Sequence, residues 1–295
     1  MRIIVSTAVS DSLDVQFIFN RSLLTDKVMV PVRIISSDDE VVIQSIVRAT
    51  NRQTEVKEEQ FFALQEFPKL LEQHFQSFED PLRRLYYERR TCQYDRMQIE
   101  KSRVITDANV VRSFASIFLD EAHRTTRSYK SIRDKVSKEI FVKGHRLEPY
   151  YLAASMFYRL DTLFRLKKLE AKYKPARFHI MMAARMLASN EVIPKMHANA
   201  MGPYSDTLIN IFSDQVEAEK LLAEAVEVVS NAAQDDYKRD NIRTEPFTKT
   251  VLTLTRTKWE QKTMKNQNEF DSFSLLVGKV LAVPKSVVLR RKEEY

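Results

Sequence analysis

The chain has 295 residues, enough for one large domain or two small ones, and a chain of this size buries roughly three quarters of its unfolded surface without a disulfide or metal staple. A hydrophobic fraction of 44% and a charged fraction of 29% are those of an ordinary folded protein and exclude the disordered, collagen-like and membrane-embedded classes. The net charge of +7 is uneven: residues 1–80 carry 8 basic against 13 acidic side chains, residues 81–177 carry 23 against 11, and residues 178–295 carry 16 of each. The middle third holds all the excess, which is the electrostatic footprint of a DNA or RNA partner, or equally of solvated helix faces or a patch docked on the acidic first third. One cysteine, Cys92, makes neither an internal disulfide nor a thiolate zinc cluster, and three glycines are too few for the usual phosphate-cradling loops. No stretch approaches the ~18 to 20 apolar residues of a bilayer span. Met1 to Val5 is too short for a signal peptide, so a cytoplasmic protein without a membrane partner is expected.

Val30, Val32 and Ile34 alternate over Met29 to Ile35, the period of a half-buried strand, with Pro31 suited to an edge. Val15 to Phe19 is a second strand candidate, and Asn20-Arg21-Ser22 turns the chain between them into a small antiparallel pair. Asp38, Asp39 and Glu40 then read as the cap and first-turn carboxylates of a helix reaching about Ala49.

From there the pattern is helical. Glu55 to Phe75 carries Phe61, Leu64, Leu71 and Phe75, with Pro68 marking a kink or break. Asp107 caps a stripe of Val110, Val111, Phe114, Ile117 and Phe118 that ends near Arg124. Pro149 opens a helix over Tyr150 to Lys172, and Pro175 opens another through Leu187. Ser205-Asp206 starts one that runs from Leu208 to about Ala233. Pro194 to Pro203, with Gly202, reads as the main internal loop, and Asn241 with Pro246 as a further break. Val251 to Trp259 mixes strand propensity with helical period and reads as helix, and the charged tail from Lys285 frays. The fold class is therefore mainly α (α+β): a small strand or hairpin element and mixed part over residues 1–80, then a multi-helix body over 81–295 that carries the basic segment 81–177, together one structural unit.

Catalytic patterns are scarce. Asp120-Glu121-Ala122-His123 spells a helicase-like box, but it lies inside an expected helix and no Walker loop accompanies it. Nucleases that pair a carboxylate with (Asp/Glu)-x-Lys hold Mg beside an attacking water. Four such tripeptides begin at Glu55, Glu170, Asp236 and Glu260, about what composition alone produces, and the best pairing is Asp39 with Glu55 and Lys57. The five histidines never fall at i, i+3 or i+4, so no metal site and no cofactor are expected. Cys92, near Arg90, is either a thiolate favoured by cations or a plain, partly buried cysteine, and Phe61-Phe62 and Met181-Met182 read as core.

The most function-like stretch is Pro81 to Arg103. Arg83, Arg84, Arg89 and Arg90 alternate there with Tyr86 and Tyr87, and Arg96 and Tyr94 follow. Guanidinium groups grip phosphates bidentately and tyrosine faces stack on unpaired bases, so these six are the candidate nucleic-acid-binding residues. The competing reading is a structural clamp, in which Glu88 pairs with the arginines internally.

Two segments carry a family resemblance. The strand Val30 to Ile35 leads through an acidic-start helix to Ala49-Thr50-Asn51-Arg52-Gln53-Thr54-Glu55-Val56, followed by Leu85-Tyr86-Tyr87-Glu88-Arg89-Arg90. In order and spacing this resembles the AIPR family of bacterial abortive phage infection resistance proteins. The resemblance implies a cytoplasmic phage-defence protein with motif residues Asn51, Arg52, Gln53, Tyr87, Glu88, Arg89 and Arg90. Family members are longer and carry an earlier Asn-Gly-x-Gln-Thr turn that this chain lacks, so it resembles the C-terminal half of such a member. Three functions follow in order: a nucleic-acid- or partner-binding module without its own catalytic site, a Mg-dependent nuclease or part of one, and a structural half that assembles with a separately encoded N-terminal half or another defence-operon protein. Nuclease is the one enzyme class kept open, and DNA is not distinguished from RNA.

Overall fold

Ile3, Ile4 and Val5 are consecutive β-branched residues that favour extended backbone. In the computed structural model of the chain they form strand β1 (Arg2–Thr7), which pairs antiparallel with β2 (Val32–Ser37), Ile4 opposite Ile35 and Val5 opposite Ile34. The structure describes residues 2–7, 32–37, 39, 41, 42, 45 and 65–281 apart from 128, 190 and 191. It forms two compact units, Met1–Gln65 and Glu66–Tyr295. Of the strand expected over Met29 to Ile35, Val32 to Ile35 lie in β2, which runs on to Ser37, and its partner is Arg2–Thr7, whose β-branched run supplies a full six-residue register. Val15 to Phe19 lies outside the described residues. Asp39 Oδ1 accepts the N–H groups of Val41 at 2.8 Å and Val42 at 3.4 Å, so the capping carboxylate is Asp39, one residue after the Asp38 expected to cap.

The second unit begins with α1 (Glu66–Gln76), which buries Pro68, Leu71 and Phe75. Pro68 lies in the first turn, where its missing N–H leaves no bond unmade, so it opens the helix and does not kink it. Two short strands, β3 (Tyr86–Glu88) and β4 (Val104–Thr106), pair in parallel, and β4 runs straight into α2 (Asp107–Phe118). Thr106 caps α2, its Oγ1 accepting the Asn109 N–H at 3.3 Å, while Asp107 occupies the first turn.

Helix α2 stops at Phe118, short of the expected Arg124, because Asp120 takes a left-handed φ of 55° and the Glu121 N–H turns back to the Ala115 carbonyl at 3.1 Å. The short α3 (Ala122–Thr125) follows, so Asp120 to His123 spans a helix joint and not a helix interior. After α4 (Tyr129–Val136) comes α5 (Glu148–Arg165), with Pro149 in its first turn as expected. It ends before Lys172: Lys167 is left-handed at φ 57°, and the N–H groups of Lys168 and Leu169 fold back on the Leu163 carbonyl.

A 3₁₀ turn, Ala171–Ala176, leads into α6 (Arg177–Ala188), which is buried at every position from Phe178 to Leu187. Around it and α5 pack α2, α7 (Met201–Ser213), α8 (Gln215–Ala233) and the inner half of α10 (Glu245–Leu281), with the single turn α9 (Arg239–Ile242) before α10. The helix expected from Leu208 to Ala233 is two helices, because Asp214 is extended and its Oδ1 caps α8 through the Glu217 N–H at 2.9 Å. Gly202 and Pro203, expected in a loop, lie in the first turn of α7. The fold is mainly α with small strand elements, and no helix among the described residues is long and apolar enough to cross a membrane.

Candidate nucleic-acid interface

Alternation along β3 turns Tyr87 inward between Tyr86 and Glu88, and it is 1% exposed. Its hydroxyl donates to Asp107 Oδ1 at 2.8 Å, and burial, with the Asp107 charge and hydrogen bond added, pushes the phenol well above its ordinary pKa. Asp107 Oδ2 accepts from the Tyr129 hydroxyl and from Arg133 Nη1 at 3.0 Å, so one carboxylate joins β3, α2 and α4. Tyr94 is buried against Tyr86, edge to face at 5.5 Å, and donates to the Tyr87 carbonyl at 3.3 Å. Burial, reinforced by Glu72, pushes the Tyr94 phenol up to about 12.

The arginines of this segment make specific internal contacts. Arg83 Nη2 donates to Asn210 Oδ1 at 2.8 Å, and its carbonyl accepts from the Tyr151 hydroxyl. Arg84 Nη1 donates to the carbonyls of Gln76 at 2.8 Å and Phe78 at 3.0 Å, satisfying the open end of α1, with its guanidinium 5.4 Å from the Tyr86 ring centroid. Arg89 Nε donates to Glu72 Oε2 at 2.8 Å, and Arg103 Nη1 holds the carbonyls of Pro81 and Arg84 at 2.7 and 2.8 Å. The structure thus brings Arg83, Arg84, Tyr86, Tyr87 and Arg89 together as ties along a seam, while Arg90 and Arg96 are exposed. The carboxylate inside the cluster is Glu72 of α1, and no ion pair to Glu88 forms among the described residues. Asn51, Arg52 and Gln53 lie outside the described residues.

Other sequence candidates also find places. Cys92 is exposed with a φ of 62°, not partly buried, and its hydrogen bond to Asp95 pushes the thiol pKa up, which corrects both the partly buried cysteine and the cation-stabilised thiolate expected there. His179 is fully buried 2.9 Å from Thr248 Oγ1, and His123 Nε2 lies 3.6 Å from Glu121 Oε2. No group of three His, Cys, Asp or Glu able to hold a metal occurs among the described residues.

Two cations that the charge count passed over, Arg239 and Arg243, come from the net-neutral last third. The α9 turn brings them to the same hollows as Arg127, Lys174 and Arg177. Only folding could reveal this convergence, since the contributing segments are far apart in sequence.

The model of the AIPR family, described as AIPR protein, matches residues 3–241, more than three quarters of the chain. The match includes both segments that carry the resemblance. No curated protein and no solved structure matches the chain.

Proposed function

The chain belongs to the AIPR family of abortive phage infection resistance proteins, and from that membership we propose that it is a phage-defence protein whose helical body binds nucleic acid through the phosphate backbone. The observation that carries this reading is charge left over after internal pairing. Within 81–177, Arg84, Arg89, Arg103 and Arg133 are spent on backbone carbonyls or carboxylates. Arg90, Arg96, Arg127, Lys174 and Arg177 make no ion pair with a carboxylate among the described residues. Surface cations without counter-charges attract a polyanion over the Debye length, and binding releases its condensed counterions.

The test is fluorescence anisotropy of the full chain with single-stranded and duplex DNA and RNA at rising salt. Binding should weaken linearly in log–log form, by about 0.9 per phosphate contacted on duplex and about 0.7 on a single strand. An absence of binding at low salt would withdraw the reading, and the relative affinities decide between DNA and RNA.

A further inference from the structure

We propose that the cleft between the 3₁₀ turn Ala171–Ala176, the end of α3 and the α9 turn is the nucleotide phosphate site of this protein, entered by a nucleic-acid strand. This rests on the nucleic-acid reading above and gives it an address. The cleft has a volume of about 380 Å³, within the range of sites that hold small organic ligands. Lys174, Arg177, Arg239 and Arg243 line it, and among the described residues no carboxylate does. A second hollow of about 490 Å³ is lined by Arg243 together with Arg127, Thr244 and the single acid Asp240.

Gathering cations around one hollow raises their mutual repulsion, and a fold ordinarily offsets that with carboxylates. Here the offsets are backbone carbonyls. Arg243 Nη2 donates to the Thr126 carbonyl at 2.7 Å and its Nε to Thr126 Oγ1 at 3.3 Å. Arg127 Nη2 donates to the Arg243 carbonyl at 3.3 Å, and Arg177 Nε to the Lys174 carbonyl at 3.2 Å. Such bonds fix each guanidinium in place while leaving its charge whole and most of its five N–H donors unassigned. A half-buried cation stands behind them: Arg112 Nη2 donates to the Arg127 carbonyl at 3.4 Å, and its Nε is enclosed with no hydrogen-bond partner among the described residues.

The floor is apolar. Phe178 is 5% and Ile242 1% exposed, and Pro175 and Ala171 complete it. A cationic rim over an apolar floor matches a nucleotide, whose phosphate takes the guanidinium forks while the sugar and base cover hydrocarbon. Because Arg243 lines both hollows, successive phosphates of one strand can occupy them in turn.

The experiment uses the full chain and a fluorescein-labelled single-stranded oligonucleotide, with a nucleoside monophosphate and inorganic phosphate as competitors. Lys174 and Arg239 are exposed, neither side chain makes a hydrogen bond or ion pair among the described residues, and Lys174 Nζ lies 5.9 Å from the Phe164 ring centroid, a contact that contributes little at an exposed site, so Lys174→Glu with Arg239→Glu should leave the fold intact; a melting temperature close to that of the wild type checks this. That variant should lose at least tenfold in affinity and reduce the salt slope by about one to two, since roughly 0.7 is lost per phosphate contact. Lys174→Gln with Arg239→Gln should fall between it and the wild type, and Arg90→Glu with Arg96→Glu, an equal change of net charge outside the cleft, should lose clearly less affinity than the cleft variant. Unchanged affinity in the cleft variant alongside loss in the Arg90 and Arg96 variant would overturn the cleft and keep the nucleic-acid reading. If the wild type ignores oligonucleotides but binds the monophosphate through Lys174 and Arg239, the nucleic-acid reading fails and the cleft stands as a free-nucleotide site. Binding of neither probe overturns both.

Discussion

Arg89 holds its Nε 2.8 Å from Glu72 Oε2 with the two side chains only 10% and 15% exposed, whereas Arg90, next in the chain, is exposed and makes no side-chain bond among the described residues. Sequence alone gives both the same weight as phosphate ligands, because nothing in a run of arginines says which one faces a carboxylate from another helix. Removing one partner of a largely buried pair strands the other, so Arg89→Ala should lower stability by about 2–4 kcal/mol. Arg90→Ala should stay within about 0.5 kcal/mol of wild type, and urea denaturation of both variants compares them directly. His179 makes a second argument at this scale. Burial, with a smaller contribution from nearby His123, lowers its pKa to about 3, so the folded protein keeps it neutral where the unfolded chain would protonate it. The unfolded state therefore binds the extra proton below about pH 6.5, and the stability this group contributes is whole above that pH and falls as pH drops toward 3. At pH 5 the loss should be about 2 kcal/mol relative to pH 7, and His179→Gln should remove that part of the slope in denaturation midpoints. An equal slope in the variant would show that other groups carry the acid sensitivity.

At the scale of elements, apolar periodicity located most helices and local backbone chemistry decided their ends. The stripe from Val110 to Phe118 is where the sequence places it, yet α2 ends six residues early because Asp120 adopts φ 55°. Aspartate is among the few residues that tolerate that region, but tolerance is not a signal strong enough to read from one chain. The break between α7 and α8 was more legible than it looked: Asp214 stands three residues before Glu217, the spacing of a helix cap. The Leu208 to Ala233 stripe continues across it and hid it. If Asp214 sets this break by capping, Asp214→Ala should cost about 1 kcal/mol, and Asp214→Ser should recover most of it, since serine accepts the same N–H. Equal melting temperatures for the alanine and serine variants would assign the break to packing alone. The short parallel pair β3–β4 was not foreseen, because three residues are too few to show a period of two and their partners lie in separate segments.

Across the whole molecule, the family and its mainly helical class were legible from local strings, whereas the convergence of Lys174, Arg177, Arg239 and Arg243 was not, because the last two come from a segment whose charges cancel. Long-range assembly also explains α10, whose 37 residues extend roughly 55 Å at the rise of an α-helix. Its first turns are core: Phe247 is 4% exposed and Val251 fully buried, and Lys258 and Lys262 pair with Glu227 and Glu224 of α8 at 2.6 and 2.9 Å. Beyond Lys262, Met264, Phe270 and Phe273 are 68%, 64% and 63% exposed. Apolar side chains that stay in water on folding contribute almost nothing to the transfer free energy, while those that leave it contribute in full and leave a cavity when truncated. Phe247→Ala should therefore cost about 3–5 kcal/mol in urea denaturation. Phe270→Ser with Phe273→Ser should shift stability by less than about 0.5 kcal/mol despite deleting twice the aromatic area. Amide exchange should divide at the same place, with slow protection from Phe247 to Trp259 and fast exchange past Met264, because the outer turns open without disturbing the core. Comparable losses for the inner and outer phenylalanines would mean that the outer half of α10 is packed in solution.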